Sequence, residues 1–249
     1  MPNLASLLIA ARRSGDRLRL EPGVAPDSIE AAYAVQAAVA DGLGARVAGW
    51  KVGISPEGAP FAAPILDCDL HASGARVNLG AGEPAKIEIE LALRLGRDLG
   101  PRPQPYARED ILDATNSVLV GMEIVANRLQ APQSASFEAL LADNFNNGGY
   151  VAGDETSAFR ALALEGLRVR LWVESALAQD KIGSHPMGDP LIPAMAWASR
   201  QCDRLGGLRA GQFVTTGTLT IPFPVAGTTR LEGRIEGIGA VAAGFEIVG

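Results

Sequence analysis

Glu88 and Glu90 stand two residues apart in Lys86-Ile87-Glu88-Ile89-Glu90-Leu91-Ala92-Leu93-Arg94. The segment alternates strictly. As a β-strand it puts Ile87, Ile89, Leu91 and Leu93 on one face and Lys86, Glu88, Glu90, Ala92 and Arg94 on the other. Two carboxylates on one surface admit two readings. One is a half-buried strand whose charged face is in water. The other is half of an all-carboxylate site for a hard divalent cation, which selects oxygen ligands. Glu123 bears on the choice. It interrupts Val118-Leu119-Val120-Gly121-Met122-Glu123-Ile124-Val125, which is otherwise apolar and reads as a buried strand. An ionised carboxylate there costs on the order of several kcal/mol unless it is paired, bound to a metal or exposed at the strand end.

Other residues could also carry chemistry. Lys51 lies in Gly49-Trp50-Lys51-Val52-Gly53, where the glycines let the backbone come close to something. A lysine on an ordinary strand surface is the alternative. Ala142-Asp143-Asn144-Phe145-Asn146-Asn147-Gly148-Gly149-Tyr150 is dense in amides and glycine, either a polar turn or a ligand-facing loop. The chain has 2 histidines, His71 and His185, so a Ser-His-Asp triad or a two-histidine zinc site would have to draw on them. No GxSxG, HExxH, Walker or GxGxxG pattern surrounds them.

These residues need elements to hold them. Asn3 reads as the N-cap of a first helix, with Leu4, Leu7, Leu8 and Ala11 at helical spacing and Gly15 at its stop. Asp27-Ser28-Ile29-Glu30 reads as a capping box with Asp27 as the cap, opening a helix that runs out at Gly42 and Gly44. Residues 54–66 contain three prolines and read as an irregular loop, and 64–70 as a short strand. Short helices are expected over 108–116 and 137–143. A strand with one wet face is expected over 167–173, with Arg168, Arg170 and Trp172 outward. Asp189-Pro190 predicts a helix from its N-cap to Leu205, before Gly206-Gly207. The last 40 residues read as strands and turns.

The chain of 249 residues is 47% hydrophobic and 20% charged, ordinary for a globular protein with a real core. Its net charge of −6 and lack of a basic stripe argue against a nucleic-acid partner. Cys68 and Cys202 are isolated, and two cysteines make no disulfide framework, so a reducing cytoplasm fits best. The run from Leu7 to Ala11 lacks a basic leader and a cleavage site, so no signal peptide is expected. No apolar run reaches membrane-spanning length.

Taken in order, Ala31-Ala32-Tyr33-Ala34-Val35-Gln36, Gly49-Trp50-Lys51-Val52-Gly53, Lys86-Ile87-Glu88-Ile89-Glu90, Gly121-Met122-Glu123-Ile124-Val125, Ala142-Asp143-Asn144, Gly188-Asp189-Pro190-Leu191, Thr215-Thr216-Gly217 and Glu236-Gly237-Ile238-Gly239-Ala240-Val241 form a set. The ordered set resembles the 2-keto-4-pentenoate hydratase / 4-oxalocrotonate decarboxylase branch of the fumarylacetoacetate hydrolase-like superfamily, over nearly the whole chain. The resemblance implies an α+β fold with a mixed β-roll core and a small helical N-terminal region. It implies one domain over 1–249, with a helical cap at 1–45 and a β-rich metal-binding catalytic core at 46–249. It implies Mg²⁺ or Mn²⁺ held by Glu88, Glu90 and Glu123. Lys51 would face the substrate carboxylate or assist proton transfer, Asp143 would join it as a catalytic residue, and Asn146, Thr216 and Gly217 would bind substrate.

The implied chemistry is that of a 2-oxo acid chelated through its carboxylate and 2-oxo group. The cation stabilises charge on that oxygen, so enol, dienolate and keto forms interconvert. A hydratase then adds water to give a 4-hydroxy-2-oxo acid, in breakdown of aromatic compounds. The alternatives are decarboxylation of a 4-oxalocrotonate-type substrate, hydrolysis of an acylpyruvate-type C–C bond using His71, and a non-catalytic partner subunit. The last would fit a chain lacking one of the three carboxylates or the lysine, and all four are present. The partners implied are a small 2-oxo acid and further copies of the chain, with no nucleic acid and no membrane. The sequence departs from the family pattern at Phe145-Asn146, at Gly188-Asp189-Pro190 and in a shorter loop after Lys51. All three departures bear on the distal end of the substrate.

Overall fold

In a computed structural model, which describes residues 3–80 and 84–248, the chain forms two β-sheets with helices against one of them. The larger sheet runs β2 (Pro60–Leu66), β1 (Val47–Ile54), β10 (Phe213–Thr218), β5 (Lys86–Leu95), β6 (Thr115–Val125), β7 (Asn147–Thr156) and β3 (Leu70–Ala72), with β11 (Phe223–Pro224) also on β5. The smaller sheet runs β4 (Ala75–Gly80), β13 (Gly239–Val248), β12 (Thr229–Ile235), β8 (Arg168–Val173) and β9 (Ala176–Ile182). The helices are α1 (Leu4–Ser14), α2 (Ile29–Leu43), α3 (Arg108–Ala114), α4 (Phe137–Ala142) and α5 (Ile192–Ser199). No described helix is long and apolar enough to cross a membrane.

The strict alternation of β5 decides how the sheets meet. Ile87, Ile89, Leu91 and Leu93 join Ile124 of β6 in one core with Val169, Leu171, Leu231, Val241 and Ala243 of the smaller sheet. The opposite face of β5 is turned into the roll of the larger sheet. Lys51 on β1 and Glu123 on β6 are separated by three strand-to-strand steps, roughly 14 Å across a flat sheet. Their side chains are nevertheless 2.9 Å apart, so the sheet curls around this inner face. A second small cluster of Ile65, Ala92, Leu119, Tyr150 and Phe213 fills the roll beside it.

Helix boundaries follow local chemistry. Asn3 caps α1 and Gly15 ends it in the left-handed conformation, as the sequence suggests. The cap of α2 is Ser28 and not Asp27: its hydroxyl accepts from the Ala31 amide. Tyr33 and Gln36 anchor α2, the first accepting from the Ala62 amide of β2, the second donating to the Leu141 carbonyl of α4.

Two further expectations are corrected. Residues 60–66 form β2 rather than a loop. The sheet tolerates Pro60 and Pro64 because β2 is an edge strand and needs no ladder donor on its open side. Helix α5 spans Ile192–Ser199 and stops short of Leu205. Side chains compete for the backbone beyond it: Gln201 accepts from the Leu208 amide and donates to the Leu99 carbonyl, and Asp203 accepts from the Leu205 and Gly207 amides.

Candidate metal centre and active site

Strands β5 and β6 are antiparallel with Glu88 directly opposite Glu123 and Glu90 opposite Gly121. That register gathers the three carboxylates. One oxygen from each of Glu88, Glu90 and Glu123 lies within 4.8 Å of the others. Glu90 and Glu123 are 0% exposed and Glu88 is half-buried. The reading of this face as solvated is therefore wrong: it lies inside the roll, closed off by the sheet's own curvature.

The acids are held by neighbours. Lys51 Nζ donates to Glu123 Oε1 at 2.9 Å, and Asn147 Nδ2 donates to the same oxygen at 2.9 Å. Thr215 Oγ1 donates to Glu90 Oε2, and Tyr150 Oη bonds Thr215 Oγ1 at 3.3 Å. A Cβ at Gly121 would fall on the Tyr150 hydroxyl, so glycine at 121 is what lets the tyrosine reach across. Two oxygens remain buried with no hydrogen-bond partner among the described residues, Glu90 Oε1 and Glu123 Oε2. Such orphan acceptors are costly. Three hard oxygens facing a common point, with a single ammonium against them, fit a divalent cation.

Electrostatics agree. Burial, then the neighbouring Glu123 charge, pushes the Glu88 carboxyl up to about 7, against the pull of Lys51 and Lys86. Glu90 is raised well above the ordinary range by burial and by the charges of Glu123 and Glu88. Burial acts to lower the Lys51 ammonium, but Glu123, Glu88 and Glu90 outweigh it and the net shift is upward.

The other expected residues are distributed as follows. Asp143 is buried, yet its carboxylate is turned to Arg128, whose Nη1 donates at 2.9 Å and whose amide donates at 3.3 Å. Burial raises its pKa, with Arg128 and Arg12 opposing. It therefore stands outside the carboxylate cluster and anchors the loop that carries Asn146 and Asn147. Asn146 Oδ1 is buried without a partner. Thr216 and Gly217 lie where the register of β10 against β5 shifts between Thr215 and Thr218, and Thr216 Oγ1 is also buried and unpartnered.

His185 fixes that shift. The Met187 amide donates to its Nδ1 at 3.2 Å, which leaves the proton on Nε2 to donate to the Thr216 carbonyl at 3.0 Å. Burial lowers its pKa, with the Thr216 bond and Asp189 opposing, in keeping with a neutral ring. His71 pairs with Val151, itself opposite Met122, on the sheet face away from the acids, so it does not fold over them.

The sequence offers Asn147 and Tyr150 only within an amide- and glycine-rich run, Thr215 only within a motif and His185 only as one of 2 histidines, with no role for any of them. Tyr150 in a glycine-led strand and a histidine beside proline were the available signals. The cross-strand partners that give them meaning are far away in the chain.

The family defined by this fold and this cluster is the fumarylacetoacetate hydrolase family, and the chain belongs to it: the Fumarylacetoacetate (FAA) hydrolase C-terminal family matches residues 67–246. Within it, the chain is 30% identical to the 2-keto-4-pentenoate hydratase of Paraburkholderia xenovorans (strain LB400), over 97% of this chain and 93% of that one. It is 29% identical to the 2-hydroxyhexa-2,4-dienoate hydratase of Comamonas testosteroni, over 81% of this chain and 79% of that one. Its fold superimposes on 4-oxalocrotonate decarboxylase from Pseudomonas putida G7, solved with magnesium and adipate, with a TM-score of 0.82 and 21% identity over 97% of this chain and 95% of that one.

Proposed function

We propose that the protein is a hydro-lyase that adds water to a 2-hydroxy-2,4-dienoate of the 2-keto-4-pentenoate type, giving a 4-hydroxy-2-oxo acid in the catabolism of aromatic compounds. The carrying observation is the buried set of Glu88, Glu90 and Glu123, with two orphan oxygens and Lys51 at its edge. The hydratases at about 30% identity over most of the chain support the choice of reaction. A divalent cation on these three acids, Mg²⁺ by preference, supplies the positive charge against which a 2-oxo acid develops negative charge on its 2-oxygen.

The chain's own residues do the rest. Asn147 and Lys51 orient Glu123, and Thr215 orients Glu90, so that the free oxygens converge. Lys51 is positioned to donate to the substrate carboxylate from its place on Glu123. Thr216 Oγ1 and Asn146 Oδ1 are unpartnered polar atoms suited to a substrate hydroxyl or an ordered water. Asp143 acts through Arg128, by fixing the loop. The geometry gives the hydrolase reading less support, because His71 faces away and His185 is spent on backbone groups. We also place the enzyme in the cytoplasm, since Cys68 and Cys202 are free and exposed, and expect a homo-oligomer, with exposed Leu177, Ile182 and Ile221 as candidate contacts.

The test is consumption of 2-hydroxypenta-2,4-dienoate by purified protein with Mg²⁺, followed as loss of its ultraviolet absorbance. EDTA should stop the reaction. Release of CO₂ from 4-oxalocrotonate with no hydration of any dienoate would overturn the assignment in favour of the decarboxylase.

A further inference from the structure

Phe145, one of the departures from the family pattern, stands beside the site in an uncommon backbone. Its φ is 49°, between Asn144 at 51° and Asn146 at 63°. Three successive non-glycine residues in the left-handed region are unusual, and a bulky aromatic there is an outlier. Such a conformation persists only where the surroundings over-determine it.

Here they do. The Asp143 carboxylate is clamped by Arg128, Asn144 Nδ2 donates to the Pro64 carbonyl at 3.2 Å, and the Ala126 amide donates to the Asn146 carbonyl at 2.9 Å. At the loop's end, Asn147 is tied to Glu123.

The consequence of the strained turn is the place it gives one ring. Phe145 packs on Phe61 with centroids 4.4 Å apart and on Phe137 at 5.5 Å. Its ring centre lies 5.9 Å from Lys51 Nζ, which is itself 2.9 Å from Glu123. Phe145 is half-buried. A chain anchored at the carboxylates by its first two carbons would extend past Lys51 and meet this wall. Among the described residues the cations beside the loop are already engaged: Lys51 by Glu123 and the substrate's first carboxylate, Arg128 by Asp143 and Arg12 by Asp69. A second carboxylate at the far end would be desolvated against rings with none of these cations left to pair it, whereas an alkyl or aryl group would only lose contact with water.

We propose that Phe145, backed by Phe61 and Phe137, is a specificity-determining wall that selects substrates with an uncharged apolar distal end over those ending in a second carboxylate. The proposal rests on the reading of the carboxylate cluster as a 2-oxo acid centre.

Calorimetric binding to the Mg²⁺-loaded protein tests both without relying on turnover. The probes are pyruvate, which has no tail, 2-oxohexanoate, with an apolar tail, and 2-oxoadipate, with an anionic one. The wild type should bind 2-oxohexanoate at least about 10-fold more tightly than 2-oxoadipate. Phe145→Gly suits the left-handed backbone and removes the ring without adding strain. It should cut the 2-oxohexanoate affinity by about 10-fold and leave pyruvate unchanged, while Phe145→Leu should retain most of the preference. A wild-type preference for 2-oxoadipate, or an equal loss for pyruvate and 2-oxohexanoate in Phe145→Gly, overturns the wall. Failure of all three acids to bind overturns the 2-oxo acid reading and the wall with it.

Discussion

Strands β5 and β8 are written in the same alternating pattern and end in opposite states. Both put hydrophobic side chains into the core between the sheets. Beyond that they diverge. The middle of β5's charged face is closed in and like-charged: Glu88 and Glu90, with Glu123 of β6 opposite, stand against Lys51 of β1. The charged face of β8 is exposed and balanced: Arg168 grips Asp180 through two bonds of 2.7 Å, and Arg170 reaches the same acid at 3.3 Å. Across from it, Arg234 bonds Glu232 at 2.7 Å and lies 5.4 Å over the Trp172 ring. The Arg168 bonds hold Asp180 at a pKa of about 2, the reverse of Glu88 at about 7. Alternation therefore marks a face, and charge balance tells what the face is for. A balanced set is already satisfied, whereas an unbalanced buried one demands a further ion.

Substitutions on the two faces should separate them sharply. Glu123→Ala removes a candidate ligand and the shared partner of Lys51 and Asn147. It should cost more than the ~10–100-fold typical of losing a residue that only orients a ligand, read as metal affinity by calorimetry, with hydration lost in parallel. Asn147→Ala keeps all three acids and should fall within that ~10–100-fold range. Unchanged affinity would remove Asn147 from the site.

Protonation gives a smaller and more graded effect. The folded Glu88 carboxyl holds its proton up to about 7 against an ordinary 4.5, so folding takes up protons in that window. The contribution of Glu88 to the stability of the metal-free protein is therefore lost as pH rises from 4.5 to about 7. The melting-temperature advantage of Glu88→Gln over wild type in EDTA should grow across the same interval. Mg²⁺ competes with the proton, so its stabilisation of the wild type should also grow with pH. A flat difference would show that Glu88 is charged in the metal-free fold. Asp180→Asn, on the solvated face, should change least: metal affinity and turnover as in wild type, with any small melting shift fading in salt.

Much of this site was legible in the sequence, residue by residue. Glu88 and Glu90 declared their common face by spacing, and Glu123 declared itself as an acid in an apolar strand. Their convergence was not legible, because it depends on a strand register that puts Glu88 opposite Glu123. The same limit hid Thr215 and Tyr150, which reach Glu90 from β10 and β7. Pro60 and Pro64 concealed β2, since a proline reads as a loop until the strand is known to lie at an edge. The family motif draws Asp143 in as a catalytic candidate, and only the fold shows that Arg128 takes its carboxylate.

The parallel pairing of β1 with β10 has a consequence in time. Apart from β2, β10 is the only strand neighbour of β1 among the described residues, and it begins at Phe213. As the chain leaves the ribosome, β5 and β6 can pair and bring three carboxylates together long before β10 exists. Lys51 is delivered to them only when β10 slots between β1 and β5. The strand that closes the roll is thus the one that seats the counter-charge: until β10 is in place the acids face water, and burial and Lys51 reach them together.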